Sequence, residues 1–216
     1  MEKAKKQKTI LFDLDGTLID STSAILEAFE AALKGTCVRF NGERIKSMIG
    51  FPLDIMFANL GFKGDEIQRC LEAYKARYSQ IYLEQTTLLP RVKEALNLAH
   101  SFATLAVVTT KGTPSSKACL EYLGVSHFFG AVVGKDDVRE PKPSSEPILK
   151  ALSLLDKGKM NAFMVGDTHL DIMAAQNAGI SSVAVSCGYE SVDSLKTYNA
   201  IIKANAYEAV KFIQSL

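Results

Sequence analysis

Thr9-Ile-Leu-Phe-Asp-Leu-Asp-Gly-Thr-Leu-Ile-Asp-Ser21 decides how the rest of the chain is read. Three apolar residues end abruptly on two carboxylates, Asp13 and Asp15, and Gly16 lets the chain turn sharply away from that line. A short apolar run of this kind suits a strand buried on both faces. In an open α/β sheet, ligands bind beyond the carboxyl ends of the strands, which is where these aspartates fall. Further runs at Leu105–Thr109, Ala131–Val133, Ala162–Val165 and Ser182–Val185, with Ile201–Ile202 as an edge, alternate with segments of helical period. The alternation predicts an α/β fold, a mainly parallel sheet with right-handed helical crossovers. Thr113-Pro114 is expected to cap and open one crossover helix that Gly124 closes; Asp171–Ala178 with Gly179 ends the same way.

One stretch, from about Ser21 to Leu89, breaks the alternation and holds no convincing strand. Ile25, Leu26, Phe29, Ala32 and Leu33 form one apolar stripe, and Ile67, Leu71, Tyr74, Tyr78 and Ile81 another. Gly35, Gly50-Phe51-Pro52 and Gly61 punctuate them, so the stretch reads as an inserted all-helical domain. The expected division is 1–20 and 90–216 for the α/β core and 21–89 for the helical insert. Tyr74, Tyr78 and Tyr82 recur at helical spacing and are expected to form an internal packing stripe rather than to face a ligand.

The 216 residues are 47% hydrophobic and 23% charged, which excludes disorder, collagen and a bare coiled coil. Lys and Arg total 25 against 24 Asp and Glu, so no global field draws the chain to nucleic acid or to a membrane surface. The basic start, Met1–Lys8, is followed by too few apolar residues for a signal peptide, and no run approaches a membrane span. Cys37, Cys70, Cys119 and Cys187 lie far apart and read as reduced packing thiols. The expected location is the cytoplasm.

Local chemistry gathers behind the strands: Asp13-Leu-Asp-Gly-Thr17, Thr109-Thr-Lys-Gly112, Arg139-Glu-Pro-Lys-Pro143 and Gly166-Asp-Thr-His-Leu-Asp171. Brought to one sheet edge, Asp13, Asp15, Asp167 and Asp171 repel one another, by about 4 kcal/mol for a pair about 4 Å apart at an effective dielectric near 20. A cation must sit among them, and oxygen-only ligands with room for phosphate oxygens suit Mg2+ better than Zn2+ or Ca2+. Lys142 adds a second positive charge. Such charges let a carboxylate attack a phosphate dianion, so one of Asp13 and Asp15 can attack while the other handles a proton, with Thr17 or Thr109 donating to phosphate oxygen. Capping of the following helices accounts for any single aspartate but poorly for all four with Lys142.

These motifs resemble, in order, the four motifs of the haloacid dehalogenase superfamily, and most closely its phosphoglycolate phosphatase-like branch. Asp13–Ser21 matches the first motif at every position; Thr109, Lys142 and Gly166–Asp171 stand at the second, third and fourth. The resemblance implies a Rossmann-like three-layer α/β/α core with a helical cap and a Mg2+-dependent phosphatase acting on a small phosphorylated metabolite. It makes Asp13 the nucleophile and a metal ligand, and Asp15 the general acid/base and a ligand through its carbonyl. Thr109 and Thr110 bind the phosphoryl group, Lys142 steadies its charge, and Asp167 and Asp171 complete the metal site. A phosphomutase, an inorganic pyrophosphatase and a non-catalytic binding relative are the alternatives. Thr110, Arg91 and Ser144-Ser145-Glu146 depart from the family pattern without removing a catalytic group. Ile49-Gly50-Phe51-Pro52 resembles the loop a helical cap lowers over the site. Asp20 is expected to cap a helix, His169 to stabilise a loop or face solvent, and His100 and His127 to pack.

Overall fold

The computed structural model describes residues 8–216, so the basic start read at Met1–Lys8 lies, apart from Lys8, outside the described residues. The chain runs β1 (Lys8–Phe12), β2 (Ile19–Asp20), α1 (Thr22–Leu33), α2 (Gly42–Lys46), α3 (Leu53–Asn59), α4 (Asp65–Ile81), β3 (Thr87–Leu88), α5 (Val92–Phe102) and β4 (Ala103–Val108). It continues through α6 (Thr113–Tyr122), β5 (Phe129–Val133), α7 (Glu146–Leu154), β6 (Ala162–Gly166), α8 (His169–Ala178), β7 (Ser181–Val185), α9 (Val192–Thr197), β8 (Ile201–Lys203) and α10 (Ala206–Ser215).

Six parallel strands pair in the order β5-β4-β1-β6-β7-β8. The first strand of the sequence is therefore central, and the chain leaves it for one side of the sheet and later returns to the other. Both faces are covered, which explains the unbroken apolar runs. Ile10 and Phe12 point into the core that Leu96 of α5 and Ile213 of α10 share. Leu11, between them, packs with Ile148 and Ala151 of α7 and Ala174 of α8. This is a three-layer α/β/α architecture.

The insert has its own hydrophobic core, in which Ala24, Phe29, Ile45, Phe57 and Tyr74 are buried together. Between insert and core the sequence reading needs a correction. Thr87–Leu88 is a short strand that pairs antiparallel with Ile19–Asp20, clamping the chain's entry to the insert against its exit. Two residues carry no periodicity, so nothing local announced it. Among the described residues no helix is long and apolar enough to cross a membrane.

Gly124 and Gly179 adopt the left-handed backbone expected at the ends of α6 and α8. Thr113 does not cap α6: the cap position is Gly112, and Thr113 stands one residue inside. Its hydroxyl instead donates to Asp137 Oδ2 (2.5 Å) and accepts from the Gly134 N–H (3.1 Å), so tertiary partners outcompete the local cap. Asp20 accepts from the N–H of Thr22, the first residue of α1, at 2.9 Å. The four thiols are unbridged, but Cys37 is exposed and is no packing residue.

Candidate active site

β4, β1 and β6 end side by side, and the ladders of β1 and β4 run one bond past their strands: the Asp13 N–H donates to the Val165 carbonyl (2.8 Å) and that of Thr109 to Val133 (3.0 Å). Thr109, Asp13 and Asp167 therefore meet at one sheet edge. Asp171 joins them from the first turn of α8, where its Oδ2 accepts from the Thr168 N–H (3.1 Å) and hydroxyl (2.9 Å). Asp13, Asp167 and Asp171 are all buried, and each offers a carboxylate oxygen within 4.8 Å of the others. Thr17 Oγ1 donates to Asp167 Oδ1 (3.0 Å) and the Tyr189 N–H to its Oδ2 (2.8 Å). Lys142 Nζ donates to Asp13 Oδ1 (2.8 Å) and to Asp171 Oδ1. Gly16 shows why the turn after Asp15 is a glycine: its φ is +86°, and a Cβ there would lie 2.4 Å from Asp167 Oδ2.

Three carboxylates beside one ammonium leave two negative charges in excess within a buried site. Burial pushes Asp13 up to about 7, with Asp171 and Asp15 adding to the effect against the pull of Lys142. Burial and the same crowding hold Asp167 well above the carboxylate range. Burial opposes the Lys142 ammonium, but Asp13 and Asp171 outweigh it and hold its pKa above the usual lysine value. An all-oxygen donor set with this surplus fits a hard divalent cation, whose charge would keep the carboxylates ionised.

Asp15 stands apart from this cluster. Its carboxylate accepts from Lys111 Nζ at 2.9 and 3.1 Å and from the Ser21 hydroxyl. The Lys111 side chain is 10% exposed, and its Nζ lies 4.9 Å from the centre of the Tyr78 ring. Burial works against its charge, but Asp15 holds the Lys111 pKa well above the ordinary value. The sequence reading passed over this lysine, although it follows a strand end at the same kind of position as the aspartates. Thr109 Oγ1 accepts from the Lys111 N–H (3.2 Å), which leaves its own proton to offer. Thr110 Oγ1 donates to the Gly50 carbonyl at 2.9 Å, so the hydroxyl expected on phosphate serves the contact with the insert.

Between the sheet edge and the insert lies a cavity of about 510 Å³. Asp13, Asp15, Thr109 and Lys111 line it from the core, and Gly50, Phe51 and the tyrosines of α4 from the insert. Tyr74, Tyr78 and Tyr82 do stack on one another, with ring centres 5.4 and 5.2 Å apart. They also face the cavity, so the expectation of internal packing alone is corrected. Insert and core meet further through a Lys135–Asp54 ion pair and the hydroxyls of Thr22 and Tyr189, 3.0 Å apart. His169 Nδ1 lies 2.9 Å from Glu190 Oε2 and its ring packs edge-on to Phe51, a loop-holding arrangement. His100 and His127 pack against Phe128.

A parallel sheet whose three central strand ends carry clustered carboxylates, a lysine and a hydroxyl beneath a helical insert defines a hydrolase of the haloacid dehalogenase type. The chain belongs to the haloacid dehalogenase-like hydrolase family, which residues 10–185 match. It is 35% identical over 196 residues to a pyrophosphatase of Bacillus velezensis, covering 90% of each chain. It is also 35% identical over 195 residues to a phosphoglycolate phosphatase of Pectobacterium atrosepticum, covering 87% of this chain and 83% of that one. A crystal structure of a predicted phosphatase from Clostridium acetobutylicum superimposes with a TM-score of 0.88 at 26% identity, over 97% of this chain and 99% of that one. The chain is thus a phosphatase-type hydrolase of this family, in its phosphoglycolate phosphatase-like branch.

Proposed function

We propose that the protein is a Mg2+-dependent hydrolase of small phosphomonoesters that works through an aspartyl-phosphate on Asp13, with residues 21–89 acting as a cap over a core of 1–20 and 90–216. The observation that carries this reading is the position of Asp13. Among the described residues it alone belongs both to the buried carboxylate cluster and to the lining of the cavity. Asp13, Asp167 and Asp171, with the main-chain carbonyl of Asp15, would hold the metal, which when bound supplies positive charge to the phosphoryl oxygens and to the crowded carboxylates.

In this mechanism an Asp13 carboxylate oxygen attacks phosphorus while the Asp15 carboxyl gives its proton to the departing ester oxygen. Asp15 then takes a proton from the water that attacks the aspartyl-phosphate, which frees Asp13 and releases phosphate. Lys142 offsets charge on the nucleophile, and Thr109 donates its hydroxyl to a phosphoryl oxygen with help from the main chain at Thr110. Lys111 fixes the rotamer of Asp15 and acts as a positioning residue. Phosphomonoester hydrolysis without a catalyst is so slow that these groups together must lower the barrier by about 20 kcal/mol or more. Inorganic pyrophosphate is a second substrate reading, favoured by the likeness to the Bacillus velezensis pyrophosphatase.

Phosphate release by the purified protein, with Mg2+ or with EDTA, tests the proposal. Hydrolysis that needs Mg2+ and disappears in Asp13→Asn is the expected result; metal-independent hydrolysis, or an Asp13→Asn variant near wild-type rate, would refute it.

A further inference from the structure

The insert's wall of the cavity is built almost wholly from apolar and aromatic side chains. Ile25, Phe29, Met56, Leu71 and the Tyr74–Tyr78–Tyr82 ladder face the carboxylates across it. Three cations reach the lining, Lys75, Lys111 and Lys135. Lys111 is held by Asp15, and Lys135 is paired with Asp54. Lys75 is exposed on α4, at the solvent side. At depth, therefore, the one cation among the described lining residues, Lys111, is committed to Asp15 by its hydrogen bonds. A carboxylate or a second phosphate pressed against Phe51, Leu53 and Leu71 would lose its water without gaining a partner. The volume, about 510 Å³, also falls within the range of roughly 300–1,000 Å³ of sites that enclose whole organic ligands, far more than a two-carbon acid fills.

We infer that the preferred substrate is the phosphomonoester of an uncharged alcohol with an apolar body, seated against Phe51, Leu53, Leu71 and the tyrosine ladder, rather than a phosphorylated acid or pyrophosphate. The inference rests on the phosphomonoesterase reading and names its substrate class.

The test compares pairs of aryl phosphates of similar intrinsic reactivity that differ in charge: 2-naphthyl phosphate and 4-carboxyphenyl phosphate, with phosphoglycolate and inorganic pyrophosphate beside them. With Mg2+, kcat/KM for 2-naphthyl phosphate should exceed that for 4-carboxyphenyl phosphate by roughly tenfold or more, and Leu71→Lys should reverse or erase the difference. Lys159→Ala, at an exposed position outside the cavity lining, should change either value by less than about threefold. Preference for the carboxylated ester, for phosphoglycolate or for pyrophosphate overturns the inference and leaves the phosphatase reading intact. So does a loss of tenfold or more in Lys75→Ala confined to the anionic substrates. If no ester is hydrolysed at all, the phosphatase reading fails instead, and calorimetry on Asp13→Asn still decides the wall's preference. Tighter binding of 2-naphthyl phosphate than of 4-carboxyphenyl phosphate supports it, and equal or weaker binding contradicts it.

Discussion

The sheet edge and the helical insert solve opposite problems. At the sheet edge, three buried carboxylates are fixed by hydrogen bonds from Thr17, Thr168, Tyr189 and Lys142, so repulsion is imposed by rigid surroundings. Across the cavity the insert offers stacked tyrosines and aliphatic side chains with little charge to spare. Preorganised charge suits a reaction common to many phosphoesters, whereas an apolar wall selects among them by shape and desolvation. The proposed function thus puts chemistry and selectivity on separate elements.

If that division holds, damage to the sheet edge removes the reaction and damage to the insert changes which molecule reacts. The largest effect should come from Asp13→Asn. Turnover falls by about 10⁴-fold or more, because the nucleophile is lost. Since neutralising one of three crowded carboxylates relieves repulsion, the melting temperature measured in EDTA should stay level or rise. Lys142→Met is next. With Asp13 and Asp171 left without their ammonium, stability in metal-free buffer should drop by roughly 3–5 kcal/mol in urea unfolding, and added Mg2+ should recover part of it.

Lys111→Met sharpens the comparison, because this lysine touches both regions. It belongs to the sheet edge by its ion pair with Asp15 and to the wall by its contact with Tyr78. As a positioning residue for the proton-transfer carboxylate it should lower kcat by about 10²-fold or more with little change in KM, and alter the shape of the pH–rate profile. A purely structural lysine would shift stability and leave that profile alone. Thr110→Val should act more weakly. Losing the bond to the Gly50 carbonyl removes about 0.5–1.5 kcal/mol of contact between insert and core, which raises KM by up to about tenfold at similar kcat. The smallest effect belongs to Lys135→Ala, whose partly exposed pair with Asp54 should contribute less than about 1 kcal/mol and fade in high salt.

The two regions also differed in how legible they were. Strands β1, β4 and β6 stand within two residues of their expected limits, because central parallel strands are apolar throughout and end where polar residues begin. The same ends carried Asp13, Thr109 and Asp167, so the candidate site was visible before the fold was known. Lys142 and Asp171 were visible by motif, not by periodicity. What escaped depended on contacts made far away in the chain. Thr87–Leu88 is a strand only because Ile19–Asp20 lies opposite, and Thr113 leaves the cap position because Asp137 and Gly134 compete for it. Lys111 follows a strand end as the aspartates do, but only the fold brings it to Asp15 and sets it apart from a solvated lysine. The tyrosine series had the right spacing for a packed stripe and packs as one, yet one side of that stripe borders the cavity, a fact set by where α4 sits over the sheet.

Titration with Mn2+ followed by electron paramagnetic resonance tests the central claim most directly, since the claim is that Asp13, Asp167 and Asp171 share one divalent ion. Wild type should bind a single ion per chain, displaced by Mg2+, and Asp167→Asn should weaken that binding by about tenfold or more while keeping the folded circular dichroism spectrum. Unchanged Mn2+ binding in a folded Asp167→Asn variant, or no binding by wild type, would contradict the account.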